Sequence, residues 1–162
     1  MAKQSAGLLM FRNTHHGPEV LLVHPGGPFW AKKDEGAWTI PKGEPAEREE
    51  LLDAAQREFS EETGFHANGP FNDLGTIVQA GGKKVTAWSF EGDCDPAALR
   101  SNVCEIEWPP RSKRTIQIPE VDRGAWFPLS EARKRILKSQ VLLIDRLEEV
   151  LNRERQQTHP RG

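Results

Sequence analysis

The sequence is poor in the features that would assign it to several specialised protein classes. Among its 162 residues are only two cysteines, Cys94 and Cys104, which are too few for a disulfide scaffold and lack the spacing of a zinc site. No apolar run approaches the ~20 residues that a membrane-spanning helix needs. Residues 1–7 lack the basic and apolar segments of a signal peptide. We therefore expect a cytoplasmic protein without a membrane partner.

The chain also lacks a strong net charge, internal repeats and low-complexity linkers. A formal net charge of −2 provides no broad basic field, so we expect no binding of duplex nucleic acid. A polyanionic ligand would have to be bound locally, by a few basic residues or by a metal ion. The length predicts one domain, which we place at residues 1–155, with a polar C-terminal tail at residues 156–162.

Short apolar runs separated by turn-forming residues predict a set of strands. They are expected at residues 6–11, 19–23, 37–40, 74–79, 85–90, 104–108 and 124–127. Residues 109–114 are rich in proline, arginine, serine and lysine and are predicted to be a loop. Strands mixed with a few helices indicate an α+β fold, arranged as an α/β/α sandwich around a mixed sheet.

Three segments are predicted to be helices. The clearest covers residues 45–63, because Pro45 suits a first helical turn and Gly64 suits the position just beyond the last turn. A second helix is expected to begin near residue 130, with Ser130 as its N-cap. The last covers residues 139–154, where apolar side chains recur at helical spacing.

The first of these helices carries three carboxylates on one arc. Glu58, Glu61 and Glu62 occupy relative positions 0, 3 and 4, beside the apolar stripe. Neighbouring carboxylates repel one another and lose solvation at the edge of a core, so they favour a hard cation such as Mg²⁺. The alternative is a solvated helix face with no ligand.

The residues around these carboxylates decide between the two interpretations. Fixed offsets separate Gly43, Glu49, Arg57, Glu58, Glu61, Glu62 and Gly64, with Phe59 and Phe65 at the apolar positions. The segment 43–65 therefore resembles the Nudix box, G-x5-E-x7-R-E-U-x-E-E-x-G-U, where U is apolar. Seven fixed matches by chance are roughly a 10⁻⁸ event per window at average residue usage. The chain is thus similar to MutT-like Nudix hydrolases.

The resemblance implies a Nudix-type sandwich in which the box folds as a loop–helix–loop motif. It implies a metal site formed by Gly43, Glu58, Glu61 and Glu62. Arg57 and Glu49 are expected to support the site, Arg57 by holding a carboxylate through charge-assisted hydrogen bonds. The expected cofactor is Mg²⁺, with Mn²⁺ as a substitute.

The implied reaction is attack of water on a phosphorus of a P–O–P linkage. The proton would pass to a glutamate of the box or to an acid in a distant loop. Glu120, in the segment 119–123, lies where many relatives carry an additional catalytic or metal-binding acid. The alternative for Glu120 is a loop salt bridge with Arg123.

The residues before the box narrow the substrate class. The segment 38–43 reads W-T-I-P-K-G and is similar to relatives that act on diadenosine polyphosphates and diphosphoinositol phosphates. Lys42 is expected to contact phosphate, with a solvent-facing lysine as the alternative. Trp30 could stack on a base, and Trp38 could stack or belong to the core. Further lysines could widen the phosphate site: Lys32, Lys33, Lys83 and Lys84.

Two further segments, 105–110 and 119–123, look like a group of small bacterial Nudix proteins described as predicted NTP pyrophosphohydrolases. We expect a nucleotide-type substrate, a dinucleoside polyphosphate before a nucleoside triphosphate. The remaining alternative is a Nudix module that binds a nucleotide without cleaving it. The chain is expected to be a monomer or a homodimer.

Overall fold

The computed structural model describes residues 3–158 and contains a mixed sheet covered by helices on both faces. Its strands are β1 (Gln4–Thr14), β2 (Gly17–Pro25), β3 (Lys42–Gly43), β4 (Asn72–Val78), β5 (Lys84–Glu91), β6 (Val103–Glu107), β7 (Thr115–Pro119) and β8 (Val121–Pro128). Its α-helices are α1 (Leu51–Thr63), α2 (Leu129–Arg135) and α3 (Val141–Thr158). Among the helices of this described part, none is long and apolar enough to cross a membrane.

The main sheet has six strands, in the order β4-β5-β1-β2-β8, with β3 paired to β1. β1 and β5 run parallel, whereas the other neighbours are antiparallel. β1 lies in the middle, and its residues from Ala6 to Phe11 are all buried. The sequence of a strand that is covered on both faces is a continuous apolar run, because both sets of alternating side chains enter a core.

The two faces of β1 enter two separate hydrophobic clusters. Leu8 and Met10 pack with Phe59 of α1, whereas Leu9 and Phe11 pack with Ile144 of α3. Alternation along the strand therefore divides the core into one layer beneath α1 and one beneath α2 and α3. The predicted α+β sandwich is confirmed.

The predicted start of the box helix is wrong. The helix begins at Leu51, not at Pro45, and Glu50 at its N-cap is extended. Arg48 has a φ of 64°, a left-handed conformation that a helix cannot contain. The loop ahead of the helix is instead folded around Glu49, whose carboxylate accepts a hydrogen bond from the Ala46 N–H at 2.8 Å. The predicted end at Gly64 is confirmed, with a φ of 79°.

In three other places the local structure differs from what the sequence predicted. Residues 37–40 do not form a strand of the main ladder but make isolated bridges, Thr39 to Val23 and Trp38 to Ile136. The N-cap of α2 is Pro128 rather than Ser130. β7 was not predicted, because its residues follow a proline-rich and basic loop; it pairs with β6 in a separate two-stranded sheet.

The end of the chain also differs from the prediction. A short 3₁₀ turn over Lys138–Gln140 precedes α3, which then continues to Thr158. The helix therefore extends into the segment predicted to be a polar tail. Residues 159–162 of that tail lie outside the described part of the chain.

Candidate active site

Three carboxylates meet where the end of α1 approaches the turn between β7 and β8. Glu58 and Glu62 project from α1, and Glu120 lies in the turn. One oxygen from each of these side chains lies within 4.8 Å of the others. We call these three residues the carboxylate cluster. The sequence placed Glu120 beside the box only through family resemblance, and the fold now brings it there.

Backbone hydrogen bonds connect the end of α1, which carries Glu58 and Glu62, to the turn that carries Glu120. The Asn102 N–H donates to the Glu61 carbonyl at the end of α1, at 2.7 Å. The Glu120 N–H donates to the Asn102 carbonyl at 3.0 Å, and the Gly26 N–H donates to the Glu120 carbonyl at 3.0 Å. Carbonyls in the last turn of a helix lack intrahelical partners. Here the segment around Asn102 satisfies one of them and links it to Glu120.

Glu62 is the most buried acid of the cluster, with 6 % of its surface exposed. Its carboxylate accepts a hydrogen bond from the Lys42 N–H at 3.2 Å. Burial, together with the charges of Glu58 and Glu120, raises the pKa of Glu62 to about 9. The buried carboxylate therefore has too little positive charge around it to remain ionised at neutral pH without a cation.

Arg57 links the box acids to one another. Its guanidinium donates to both carboxylate oxygens of Glu49, each at 2.9 Å. It also donates to Glu58 at 3.0 Å, to Glu61 at 3.1 Å and to the Glu44 carbonyl at 3.1 Å. The two bonds from Arg57 to Glu49, together with the bond from the Ala46 N–H, lower the pKa of Glu49 to about 2. Arg57 thus holds the Glu58 carboxylate through a charge-assisted hydrogen bond, and the support that Arg57 and Glu49 would give to a metal site stays a prediction.

Gly43 lies directly against the carboxylate of Glu58. A Cβ atom built on Gly43 would overlap all three atoms of that carboxylate. The glycine is required here because any side chain would displace the acid. This explains one fixed position of the box by close packing between loop and helix.

Glu61 differs from the other two box acids. Its side chain is 41 % exposed and bonded to Arg57, and it lies outside the carboxylate cluster. Glu120 makes no salt bridge to Arg123, whose guanidinium lies 3.7 Å from Asp122 instead. Burial, with the charges of Glu58 and Glu61, raises the pKa of Glu120. The geometry thus favours Glu120 over Glu61 as the third carboxylate beside Glu58 and Glu62.

The chemistry of these side chains fits a hard divalent cation. Every side-chain ligand that the cluster offers is a carboxylate oxygen, the atom that Mg²⁺ and Mn²⁺ prefer over softer ligands. The negative charge of the buried Glu62 would be compensated by an ion at this position. Glu58, Glu62 and Glu120 are therefore the residues that could hold a metal ion.

Among the predicted phosphate ligands, Lys42 contacts the cluster directly, because its backbone N–H donates to Glu62. Burial lowers the pKa of its side chain, and the nearby Glu62 carboxylate opposes this shift. Lys83 is close enough for its charge to act on Lys42 as well. Lys32 and Lys84 are exposed, and no contact of their side chains links them to the carboxylate cluster.

Trp30 lies on a loop that begins beside Glu120. It packs edge-to-face on the exposed ring of Phe29, at 5.0 Å between centroids, and Lys33 Nζ lies 3.6 Å from the centre of the Phe29 ring. The loop starts at Gly26, which bonds to the Glu120 carbonyl. The loop that carries this aromatic pair is therefore anchored at its first residue to the backbone of Glu120.

Trp38, by contrast, is part of the core. Only 4 % of its surface is exposed, its ring packs edge-to-face on Phe127 at 5.0 Å, and its Nε1 donates to Asp34 at 2.8 Å. Of its two predicted roles, the structure supports packing, and the assignment of Trp38 to the substrate site is wrong because its faces are covered.

Two residues near the site were not predicted from the sequence. His24 is fully buried; its Nε2 donates to the Lys33 carbonyl at 2.6 Å, and its Nδ1 lies 3.0 Å from Asp122. It thereby anchors the loop that carries Trp30. Asn102, which bridges α1 and Glu120, belongs to no motif. Asp122, Glu61 and Glu120 lie far from these residues in the sequence, so no local signal marks either His24 or Asn102.

Comparison with known proteins identifies the domain type. A family model described as NUDIX domain matches residues 1–147. A protein of Enterobacteria phage T4, described as "Uncharacterized 17.7 kDa protein in e-segB intergenic region", is 34 % identical over 98 residues. That match covers 58 % of this chain and 63 % of the phage protein, so the chain spans less than two thirds of this relative.

Two solved structures share the fold. One is a C. elegans Ap4A hydrolase binary complex, with a TM-score of 0.66 and 21 % identity, covering 91 % of this chain and 98 % of that one. The other is the NUDIX domain of Shewanella oneidensis NrtR complexed with ADP ribose, with a TM-score of 0.67 and 19 % identity, covering 93 % and 89 %. At these identities the similarity establishes the fold alone.

Proposed function

Because the chain belongs to the Nudix family, we propose that it is a magnesium-dependent hydrolase that cleaves a pyrophosphate bond in a nucleotide derivative. The observation that carries this proposal is the carboxylate cluster, with the buried Glu62 at its centre. A cluster of this kind is unfavourable by itself, since it places like charges together away from water. It becomes favourable when a cation occupies it.

The residues of the site would have different roles in binding and catalysis. Glu58, Glu62 and Glu120 would hold the ion, with Arg57 orienting Glu58 and Gly43 leaving room for it. The bound ion would neutralise phosphate oxygens and lower the pKa of a water molecule. Lys42 would contact a phosphate of the substrate.

In the chemical step, an oxygen of water forms a bond to phosphorus while the bridging P–O bond breaks. The bridging oxygen leaves with the departing phosphate. We propose that the proton of the water passes to Glu120, because among the described residues this carboxylate accepts a single long hydrogen bond, from Asn102 at 3.4 Å. Glu58 is held more firmly by Arg57 and Glu62 is more buried, so Glu120 suits proton transfer better than either of them, in addition to its contact with the ion.

For the substrate, we propose a dinucleoside polyphosphate. The segment 38–43, with Lys42 beside the cluster, supports this class, and the fold likeness to the Ap4A hydrolase of C. elegans is compatible with it. Phe29 and Trp30 offer a surface for one base. A nucleoside triphosphate contains the same kind of P–O–P linkage but only one nucleoside. An experiment must therefore decide between these two substrate classes.

The test is hydrolysis of a substrate panel with and without Mg²⁺. The panel contains diadenosine tetraphosphate, the common nucleoside triphosphates, ADP-ribose and a 5′-triphosphate RNA. The Glu62→Gln variant removes one charge of the cluster at nearly constant shape. Glu47→Gln is the matched control, because Glu47 lies in the exposed loop before α1.

We expect Mg²⁺-dependent cleavage of diadenosine tetraphosphate, lost by orders of magnitude in Glu62→Gln and retained in Glu47→Gln. Faster cleavage of a nucleoside triphosphate would keep the enzyme class and change the substrate. Cleavage that is independent of Mg²⁺, or unchanged in Glu62→Gln, would refute the metal site. No cleavage of any panel member would favour a nucleotide-binding module.

A further inference from the structure

The backbone of Glu120 is held from two sides. Its N–H donates to the Asn102 carbonyl, and its own carbonyl accepts from Gly26, both at 3.0 Å. A Cβ atom on Gly26 would overlap the Pro119 carbonyl, so the loop after β2 packs closely on the chain just before Glu120. These contacts fix where the Glu120 backbone lies, but they do not fix the direction of its side chain.

The direction of the Glu120 carboxylate depends on one donor. Among the described residues, only the side-chain amide of Asn102 donates to it, at 3.4 Å from Nδ2 to Oε1. The charges of Glu58 and Glu61, both on α1, also act on Glu120. Like charges repel, so without this donor the carboxylate would turn away from α1.

The other end of the same amide has no partner. Asn102 Oδ1 is buried and accepts no hydrogen bond within the part of the chain that the structure describes. A buried acceptor without a donor is destabilising, and such groups are rare unless water or a ligand satisfies them. Asn102 thus carries a cost that packing alone does not explain.

From these contacts we infer that Asn102 is a positioning residue, which holds the Glu120 carboxylate toward Glu58 and Glu62 and offers its buried Oδ1 to a water molecule of the site. The inference rests on the proposed function of the carboxylate cluster. Both backbone hydrogen bonds of Asn102 remain when its side chain is changed, so a substitution removes the positioning contact and leaves the connection between α1 and Glu120.

The experiment measures Mn²⁺ binding by calorimetry and, separately, kcat and KM. The variants are Asn102→Leu, Asn102→Asp, Glu120→Gln and the double variant Asn102→Leu/Glu120→Gln. Asn68→Asp, in an exposed loop, is the matched control. Circular dichroism and Tm establish that each variant is folded.

We expect Asn102→Leu to weaken Mn²⁺ binding and to lower kcat by about 10-fold or more, the range typical of partners that orient metal ligands. KM should change less than twofold. Asn102→Asp should lower kcat further, because it replaces the donor with a repelling carboxylate. In the Glu120→Gln background, Asn102→Leu should have little additional effect, since Asn102 acts through Glu120.

Wild-type Mn²⁺ affinity and kcat in folded Asn102→Leu would overturn the inference, as would losses that add fully to those of Glu120→Gln. Mn²⁺ binding requires no substrate, so this measurement stands even if the panel identifies no reaction. Failure of the proposed function would appear as absent hydrolysis in the wild type. Failure of this inference would appear as unchanged metal binding in the Asn102 variants.

Discussion

Gly43 and Glu58 are packed so closely that the Glu58 carboxylate occupies the space of a Cβ atom on Gly43. The glycine belongs to β3, and the acid projects from the middle of α1. Gly43 therefore shapes the site by lacking a side chain, and Arg57 holds the acid in place through a hydrogen bond at 3.0 Å. The position of Glu58 is determined by both contacts together.

The first prediction follows for Gly43→Ala. The added methyl group should displace the Glu58 carboxylate, so we expect kcat to fall by about 10- to 100-fold, as for residues that orient metal ligands. Mn²⁺ binding, followed by calorimetry, should weaken in parallel. The control is Gly92→Ala, because a Cβ atom there meets its nearest neighbour at an ordinary 3.4 Å. Equal effects of the two substitutions would argue against the close contact.

The second prediction concerns Arg57→Lys. Arg57 bonds Glu49 through two nitrogens and reaches Glu58 and Glu61 with a third. A lysine keeps the charge but cannot make this fork of contacts. We expect kcat to fall by about tenfold, and Tm to fall because the loop before α1 loses its anchor. If Lys at this position retained wild-type kcat and Tm, charge alone would account for the role of Arg57.

Most residues of this site could be predicted from the box, but the way in which the fold brings them together could not. Helical spacing placed Glu58 and Glu62 together, because their separation is local. The meeting with Glu120 depends on the segment around Asn102, which pairs with residues far along the chain in both directions. The predicted start of α1 was wrong for a similar reason. The contact between Glu49 and Arg57 shapes the loop of residues 45–50 and overrides the helical preference of its sequence.

The third prediction separates the box acids from one another. Glu62 is buried within the carboxylate cluster, whereas Glu61 lies at its rim, 41 % exposed. We expect Glu62→Gln to weaken Mn²⁺ binding more than Glu61→Gln does, because a buried charge interacts more strongly with an ion. Calorimetric titration of both variants tests this order. The reverse order would place the ion nearer to Glu61.

The fourth prediction concerns Trp30→Ala. If a base stacks on this ring, KM should rise by roughly fivefold or more, since stacking is worth about 1–3 kcal/mol per base, while kcat changes little. Trp30→Phe keeps an aromatic face and should recover most of the affinity. Steady-state kinetics with the best panel substrate measure both constants. An unchanged KM in Trp30→Ala would remove this residue from the base site.

The last prediction links pH to stability through Glu62. Its pKa is raised to about 9 in the folded protein, first by burial and then by Glu58 and Glu120, while the unfolded chain has the ordinary glutamate value of about 4.3. Between these values the folded state binds more protons than the unfolded state, so stability falls as pH rises.

We therefore expect the Tm of the metal-free protein to decrease between about pH 5 and pH 9, and Glu62→Gln to show a weaker decrease. Mn²⁺ requires the deprotonated carboxylate, so its binding should strengthen with pH and raise Tm most at the alkaline end. Thermal unfolding with EDTA or with Mn²⁺ across this range measures both effects. The same slope in Glu62→Gln as in the wild type would contradict the raised pKa of Glu62. Glu120→Gln is the control, because the pKa of Glu120 is also raised and shifts Tm in the same direction.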